Sequence, residues 1–372
     1  MNVTLEGEAK PILIIRRWYH LLMKPLRFGL VGTGVGGEFI AGALKALEGE
    51  GLVKMQAVVG RKPSKTENFA RKFGAEGWYT CLRHMLTREE LDAVAISTPH
   101  YLHFPQAIAV MEAGLHVLVD KPMAINLVEA DEMVKLAERM GLKLGVILEF
   151  RFDPKLRRIK ALVDAGKLGK LIMGEAIVEW FRPEEYYRRS DWRGRWATEG
   201  GGALINQAIH TIDLLLWLMG DVEKLWSLVG TVAHDIEVED LAVAALKFRS
   251  GAFGVIQGST AVYPGLPTRL EVHGTEGTAI WEGGKIKLIS MRSGETYEEK
   301  EEEKELASWA RPEAVPIHNH VELIRDFVKA IIDDRRPYVD GVEGRRSLEV
   351  IRAIYLSGRS GEVVELPLKE GL

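Results

Sequence analysis

The sequence predicts an α/β protein in two parts: a doubly wound parallel sheet, then an α+β domain with a mostly antiparallel sheet. Three observations carry that prediction. Short apolar strands alternate with helical patterns as far as residue 148, the rhythm of a parallel sheet with helices on both faces. A glycine-rich turn at residues 32–37 lies between the first strand and the first helix. Beyond residue 150, strand-like runs follow one another with one strong helix among them, which points to antiparallel pairing.

Residues 26–31 (LRFGLV) form the first apolar strand, and a helical pattern runs from the glycine turn to about residue 47. Residues 53–59 read as the second strand and 66–73 as the second helix. A buried-type strand at 92–97 (DAVAIS) ends at Thr98-Pro99. Helix 104–113 follows, and Gly114 turns the chain into a strand at 115–119. Asn126 with Glu129 three residues on has the form of a capping box, so a helix starts there and runs to about residue 140. Residues 142–148 are another apolar strand. Asp153-Pro154 opens the next helix, with proline at the tolerated first position. Strands are then expected at 171–181, 224–232, 240–249, 252–260, 268–273 and 278–289, interrupted by a helix at 203–219. The charged segment 294–306 (GETYEEKEEEKEL) reads as a solvated loop or exposed helix, and helices return at 319–333 and 343–357. The expected division is an extension at 1–23, an α/β domain at 24–148, an α+β domain at 149–358, and a tail at 359–372. The C-terminal helix is free to pack back onto the first domain.

Composition narrows the function. Apolar residues make up 47% of the 372 positions, enough for a full core. Lys and Arg number 49 against 53 Asp and Glu, a net charge of −4. That balance argues against nucleic acid as a partner, since such binding rests on clustered cationic charge. The single cysteine, Cys81, excludes an internal disulfide and any Cys-rich metal centre, and suits a reducing cytoplasm. No apolar run reaches the roughly 18 residues of a membrane span. Arg16-Arg17 interrupt the apolar stretch at 11–23, which therefore reads as an accessory extension rather than a secretory signal.

Gly32-Thr33-Gly34-Val35-Gly36-Gly37 fits the pattern Gly-x-Gly-x-x-Gly between a strand and a helix. Its glycines permit a tight turn and close approach of backbone N–H groups to a pyrophosphate, and the helix N-terminus adds a positive dipole end. The end of the second strand selects the dinucleotide. It reads Val58-Val59-Gly60-Arg61-Lys62-Pro63-Ser64 and lacks the carboxylate that bonds ribose hydroxyls in NAD-preferring sites. Gly60 leaves space, Arg61 can grip a 2′-phosphate and Ser64 can donate to it. NADP(H) is therefore the preferred cofactor, with NAD(H) also possible. Ser97, Thr98, Pro99 and His103, with His100 nearby, mark the strand end along which the cofactor passes.

Asp120-Lys121-Pro122 follows an apolar strand, at the sheet edge where ligands bind. A lysine there can bond a reacting hydroxyl or carbonyl, although such a turn also serves as plain structure. In the stretch Gly200-Gly201-Gly202 to Asp213, Asn206 and His210 are four apart and His210 and Asp213 three apart. On a helix all three share a face, and an oriented histidine is a general acid/base candidate. A helical histidine can equally be a satisfied core residue. No third well-spaced ligand accompanies His210 and Asp213, so no metal is expected. In the aromatic loop 180–196, Arg188, Asp191 and Arg193 are candidates for sugar hydroxyls, or else members of a salt-bridged loop. His318 and His320 read as capping or surface residues.

The segments GLVGTGVGG, ISTPHYLH, AGLHVLVDKP, RFDP and WRGRWATEGGGALINQAIHTID, in this order, resemble the glucose–fructose oxidoreductase/inositol dehydrogenase/MocA (Gfo/Idh/MocA) family over about residues 26–358. The resemblance implies an N-terminal Rossmann domain and a C-terminal domain with a large open sheet. It implies NAD(P)-linked oxidation or reduction of a sugar, cyclitol or similar polyol, and a homodimer or homotetramer. By this resemblance Lys121 matches the family lysine that contacts the reacting hydroxyl and the nicotinamide region, and His210 matches the acid/base histidine. Asn206 stands where many members have Asp, Asp120 where Glu is usual, and Gly60 where Asp is common. Glu149 stands where Asn is frequent and adds a charge near the substrate. Two alternatives stay open: a non-redox sugar enzyme that oxidises its substrate transiently with tightly held NAD(H), and a catalytically silent NADP(H)-binding sensor.

Overall fold

The computed structural model describes residues 24–299 and 317–368. The extension 1–23 and the greater part of the charged segment 294–306 lie outside the described residues.

Six strands form the first sheet: β1 (Leu26–Val31), β2 (Val53–Val59), β3 (Gly77–Tyr79), β4 (Ala93–Ile96), β5 (His116–Val119) and β6 (Leu144–Val146). Their order is β3-β2-β1-β4-β5-β6, and every ladder is parallel. Chain direction across the sheet reverses at β1, the position where open α/β sheets bind ligands. Register makes this edge level. Val31 lies opposite both Val59 and Ile96, and Ile96 lies opposite Val119. Four strands therefore end together, and Gly32, Gly60, Ser97 and Asp120 follow them side by side. The covering helices are α1 (Val35–Glu48), α2 (Pro63–Phe73), α3 (Leu82–Arg88), α4 (His103–Glu112) and α5 (Leu127–Met140). The Asn126 side chain caps α5 by accepting from the Glu129 amide at 2.9 Å, as its sequence spacing required.

A short 3₁₀ turn (Glu149–Phe152) and α6 (Pro154–Asp164) lead to a nine-stranded sheet. Its strands are β7 (Leu171–Glu179), β8 (Val222–Gly230), β9 (Leu241–Phe248), β10 (Phe253–Ser259), β11 (Arg269–Gly274), β12 (Gly277–Glu282), β13 (Lys285–Met291), β14 (Thr296–Tyr297) and β15 (Val364–Glu365). All its pairings are antiparallel except β7 with β10. The single strand expected at 278–289 is a hairpin, because Gly283 and Gly284 take φ +59° and +83° and reverse the chain between β12 and β13. The segment expected as a C-terminal tail instead supplies β15, which extends the sheet beside β8.

Two short helices, α7 (Glu184–Arg188) and α8 (Trp196–Glu199), precede the long apolar segment. The helix expected at 203–219 opens as a π turn (Ala203–Ala208) before continuing as α9 (Ile209–Met219). This segment covers the inner face of the large sheet at its glycines. A Cβ on Gly258 would meet Leu204 at 2.7 Å, and one on Gly174 would meet Met219 at 2.8 Å. Residues 196–219 are long and apolar enough to cross a membrane by composition, but 89% of the defining window is buried inside the protein.

The last helices, α10 (His318–Ile332) and α11 (Gly341–Ser360), return to the first sheet. Phe327 of α10 meets Phe28 of β1 edge-on at 6.5 Å, and Gly344 of α11 rests on Val146 of β6. A buried ion cluster joins the two halves. Arg151 donates to both carboxylate oxygens of Asp213 at 2.7 and 2.6 Å and to Glu343 at 2.8 Å, while Ser347 donates to Asp213 at 2.9 Å. Both members of the central pair are almost fully buried. Removing one partner of such a pair typically costs about 3–5 kcal/mol, since the other charge is left stranded.

Candidate active site

The glycine turn forms a cradle that side chains would fill. Gly32 takes φ +117°, and a Cβ there would lie 2.0 Å from the Ser97 carbonyl oxygen. A Cβ on Gly37 would lie 2.3 Å from the Gly32 carbonyl oxygen, so the helix seats directly on the turn. Gly34, by contrast, has no atom of the described residues within 4 Å on its Cβ side, and none of their side chains caps α1 there. Open space at a bare helix N-terminus is what a pyrophosphate needs, and the residues present fit a dinucleotide. Thr33, Val35 and Gly36 complete the loop. Behind it, Ser97 donates to Asp120 at 2.7 Å, and the Lys121 amide donates to the same carboxylate at 2.8 Å. Asp120 thus ties the ends of β4 and β5 together.

Other expected cofactor residues divide. A Cβ on Gly60 would meet the Thr66 hydroxyl at 2.4 Å and a Thr33 carbon at 2.9 Å. Two threonines therefore occupy the direction a carboxylate would take. Arg61 is exposed and ion-paired with Asp191 at 2.9 Å, and Ser64 is exposed in the first turn of α2. Thr98 donates its hydroxyl to Gln106 at 2.7 Å, and Pro99 leads into the 3₁₀ turn carrying His100. His103 is buried, with its ring nitrogens 2.8 Å from the Pro122 and Thr98 carbonyl oxygens. It joins two loops and has no ring nitrogen left for a ligand.

The tertiary fold brings Lys121, His210 and Glu149 together. Lys121 donates to the Asn206 carbonyl at 2.6 Å. Burial lowers its pKa below the ordinary lysine value, against the pull of Asp120 and Glu149. His210 lies beside Glu149, with Nδ1 3.5 Å from Oε2. Both atoms are sealed from solvent without a hydrogen-bond partner among the described residues. Burial holds the His210 pKa well below the ordinary value, aided by the charges of Lys121 and His320, so the ring is neutral. Burial pushes the Glu149 carboxyl up, against His320 and Lys121. Asp213 shares the face of His210 on α9 but does not orient the ring, because its carboxylate belongs to Arg151 and Ser347. His320 is buried and stacked on Phe39 at 5.1 Å, so it is not a surface residue.

Asn206 donates its amide to Glu199 at 2.6 Å, and Gln207 donates to the Tyr186 hydroxyl at 3.0 Å. The Arg193 guanidinium lies over the Tyr186 ring at 4.3 Å, and its buried Nε has no partner among the described residues. Arg188 stays at the surface, 3.8 Å from Glu184, and Asp191 is turned toward Arg61. Sequence reading missed Glu199 and Glu239. Glu239 accepts from the amides of Gly202 and Leu204 at 2.7 and 2.8 Å and from the Tyr355 hydroxyl at 2.8 Å, which anchors the triple-glycine entry to the π turn. Glu199 also accepts from the Gly194 amide at 2.5 Å. The local signals were a glutamate ahead of the triple glycine and an acidic stretch at 235–240 ahead of β9, with nothing to mark Glu199 or Glu239 as buried.

Comparisons with known proteins follow the same division. Residues 26–148 match the family described as oxidoreductase family, NAD-binding Rossmann fold, and residues 156–280 match the GFO/IDH/MocA C-terminal domain. The WlbA dehydrogenase of Bordetella pertussis, solved with NADH and UDP-GlcNAcA, is 33% identical with a TM-score of 0.81, covering 93% of this chain and 100% of that one. The 1,5-anhydro-D-fructose reductase of Ensifer adhaerens is 26% identical over 91% of this chain and 98% of its own. The myo-inositol 2-dehydrogenase of Thermotoga maritima is 25% identical over 87% and 93%.

Burial raises the pKa of both Glu199 and Glu239 to about 7, from an ordinary 4.5. Between those values the native state holds protons that the unfolded chain has released. Rising pH therefore withdraws stability, by up to about 1.4 kcal/mol per pH unit for each group. Glu239→Gln removes one such group. The stability difference between wild type and this variant, measured by urea unfolding, should move in the variant's favour as pH rises from about 5 to about 7. A difference independent of pH would contradict the assignment.

Proposed function

The chain belongs to the Gfo/Idh/MocA family of NAD-binding oxidoreductases, and on that premise we propose that it oxidises or reduces a carbinol or carbonyl carbon of a sugar, cyclitol or related polyol. The observation that carries this reading is the meeting of Lys121 and His210. One follows strand β5 and the other lies on helix α9 against the large sheet, yet they converge beside the glycine cradle at the edge where four parallel strands end. When bound, the nicotinamide supplies the acceptor or donor of hydride. In the oxidative direction the neutral His210 takes the hydroxyl proton. Lys121 uses one N–H on Asn206 and turns its others to the reacting oxygen, whose growing negative charge it stabilises. Asn206 is held between Lys121 and Glu199, and so positions the site without taking a proton.

For the cofactor we infer a preference for NADP(H) over NAD(H). Threonines fill the space of a ribose-reading carboxylate at Gly60, and Arg61 is exposed at the same strand end, with Ser64 nearby. Asp191 competes with a 2′-phosphate for that guanidinium. One observation favours an acidic sugar: the buried, unpartnered Nε of Arg193 adds a cation to a site already holding Lys121. The UDP-GlcNAcA bound to the Bordetella relative agrees in charge. The exposed thiol of Cys81 fits a reducing cytoplasm.

We also propose a homodimer or homotetramer. The outer face of the large sheet exposes Trp226 and Leu228 on β8, Val243 on β9 and Phe253 on β10. Register puts Leu228 opposite Val243 on one side of the sheet. A contiguous apolar patch of this kind marks an interface.

Three measurements test these readings. A panel of neutral and acidic sugars and polyols, followed at the reduced-nicotinamide absorbance, should give turnover. On an active substrate His210→Ala should lower kcat by about 10²–10⁴ with cofactor binding intact. Normal kcat in that variant would remove His210 from the reaction. Arg61→Ala should weaken NADP+ binding about tenfold and leave NAD+ nearly unchanged. Tighter binding of NAD+ than NADP+ by wild type would refute the preference. Light scattering should give two or four times the 41.6 kDa chain mass, and Leu228→Lys should reduce it. A wild-type monomer would refute the assembly.

A further inference from the structure

We propose that Glu149 is the proton partner of His210: it takes up, through the imidazole ring, the proton that a substrate hydroxyl gives to Nε2. This rests on His210 being the proton acceptor. The geometry is specific. Two buried polar atoms, Glu149 Oε2 and His210 Nδ1, each lack a partner among the described residues, and they lie 3.5 Å apart. Unmatched buried polar atoms are costly, and here two of them face one another. Phe150 meets the His210 ring edge-on at 5.4 Å and closes that side to water.

The neighbours on the histidine's own segment are already committed. Asp213 is bound by Arg151 and Ser347, and the Asn206 amide is bound by Glu199. The carboxylate for the ring therefore comes from residue 149, just after β6, rather than from the turn before His210. Arg151 lies two residues beyond Glu149, and Asp213 three beyond His210. The buried Arg151–Asp213 pair thereby holds the two groups in register, and Glu149 acts as a positioning residue.

In the oxidative direction the substrate O–H bond breaks and Nε2–H forms, while Nδ1–H breaks and a Glu149 Oε2–H bond forms. The electron pair of the substrate C–H bond leaves as hydride to the nicotinamide. The pair begins as carboxylate and neutral imidazole and ends as carboxylic acid and neutral imidazole. No imidazolium is left in a buried site beside Lys121, where a second cation is penalised. Burial acts in that sense on both groups, raising the carboxyl and lowering the ring. The charged and titratable groups facing the pair are Lys121 and Asp120, after β5, and His320 on α10. Lys121 and His320 favour the ionised Glu149 needed at the start, and Asp120 opposes it.

Glu149→Gln keeps the shape and removes the acceptor. It should lower kcat by about 10²-fold and leave cofactor affinity, read by fluorescence titration, unchanged. The acid limb of kcat/KM for oxidation should move to lower pH, because the lone His210 takes up a proton only well below the ordinary histidine range. Glu149→Asp should keep the wild-type position of that limb with a smaller loss of kcat. Nitrogen-15 NMR of the substrate-free protein supplies a readout independent of turnover. As pH falls, wild-type His210 should exchange Nδ1–H for Nε2–H while the ring stays neutral, and Glu149→Gln should show no such exchange. If Glu149→Gln does not fold, a Glu149→Asp ring that never exchanges tautomer overturns the proposal. An unmoved acid limb in Glu149→Gln, with or without a raised KM, also overturns it. If His210→Ala is inactive alongside that result, only the proton partner is refuted. If His210→Ala turns over normally, the catalytic reading itself fails.

Discussion

The buried pair between Arg151 and Asp213 is the contact on which the site depends. It is bidentate, it is closed off from water, and Glu343 and Ser347 of α11 complete it. One partner belongs to the turn after the last parallel strand, and the other to the helix covering the antiparallel sheet. A charge pair with such fixed directions allows these elements little rotation or sliding. Glu149 and His210 stand two and three residues from its members, so their separation follows from it. Apolar packing alone tolerates small slips; two charges stranded by a slip would not.

The second constraint is level strand ends. Parallel register brings β1, β2, β4 and β5 to a common edge, and each following residue has a distinct task there. Gly32 lets the backbone touch the Ser97 carbonyl, Gly60 leaves room for two threonines, and Asp120 ties the end of β5 to that of β4. The large sheet then supplies the opposite wall, through the π turn and α9. Glu239 holds the entry to that turn by three hydrogen bonds. Unusual helical turns occur frequently at functional sites, and this one offers a backbone carbonyl, that of Asn206, to Lys121.

Much of this was legible in advance. The glycine turn, the Asn126 cap and the Asp153-Pro154 start are local features with local causes, and they appear where the sequence put them. The hairpin at Gly283-Gly284 was also written locally but was read as one strand. Strand β3 and helix α3 passed unnoticed because three edge residues and seven helical ones carry too little periodicity to register. The aromatic loop was legible in composition and not in direction: Arg193 turns inward onto Tyr186, while Arg188 stays outside and Asp191 crosses to Arg61.

The sequence by itself determined the alternation of elements and the cradle for a dinucleotide, which follow from periodicity and glycine backbone freedom, properties of short segments. Lys121 and His210 were candidates by side-chain type, and the family resemblance set them apart from structural residues. Only the tertiary structure decided what each polar group faces. Asp213, three residues from His210, is claimed by an arginine 62 positions away. Glu149, 61 positions from His210, becomes its neighbour. A carboxylate's partner is set by which charges are buried within a few ångströms of it. That arrangement arises when two sheets and the returning α10 and α11 close around one space, and no local pattern encodes it.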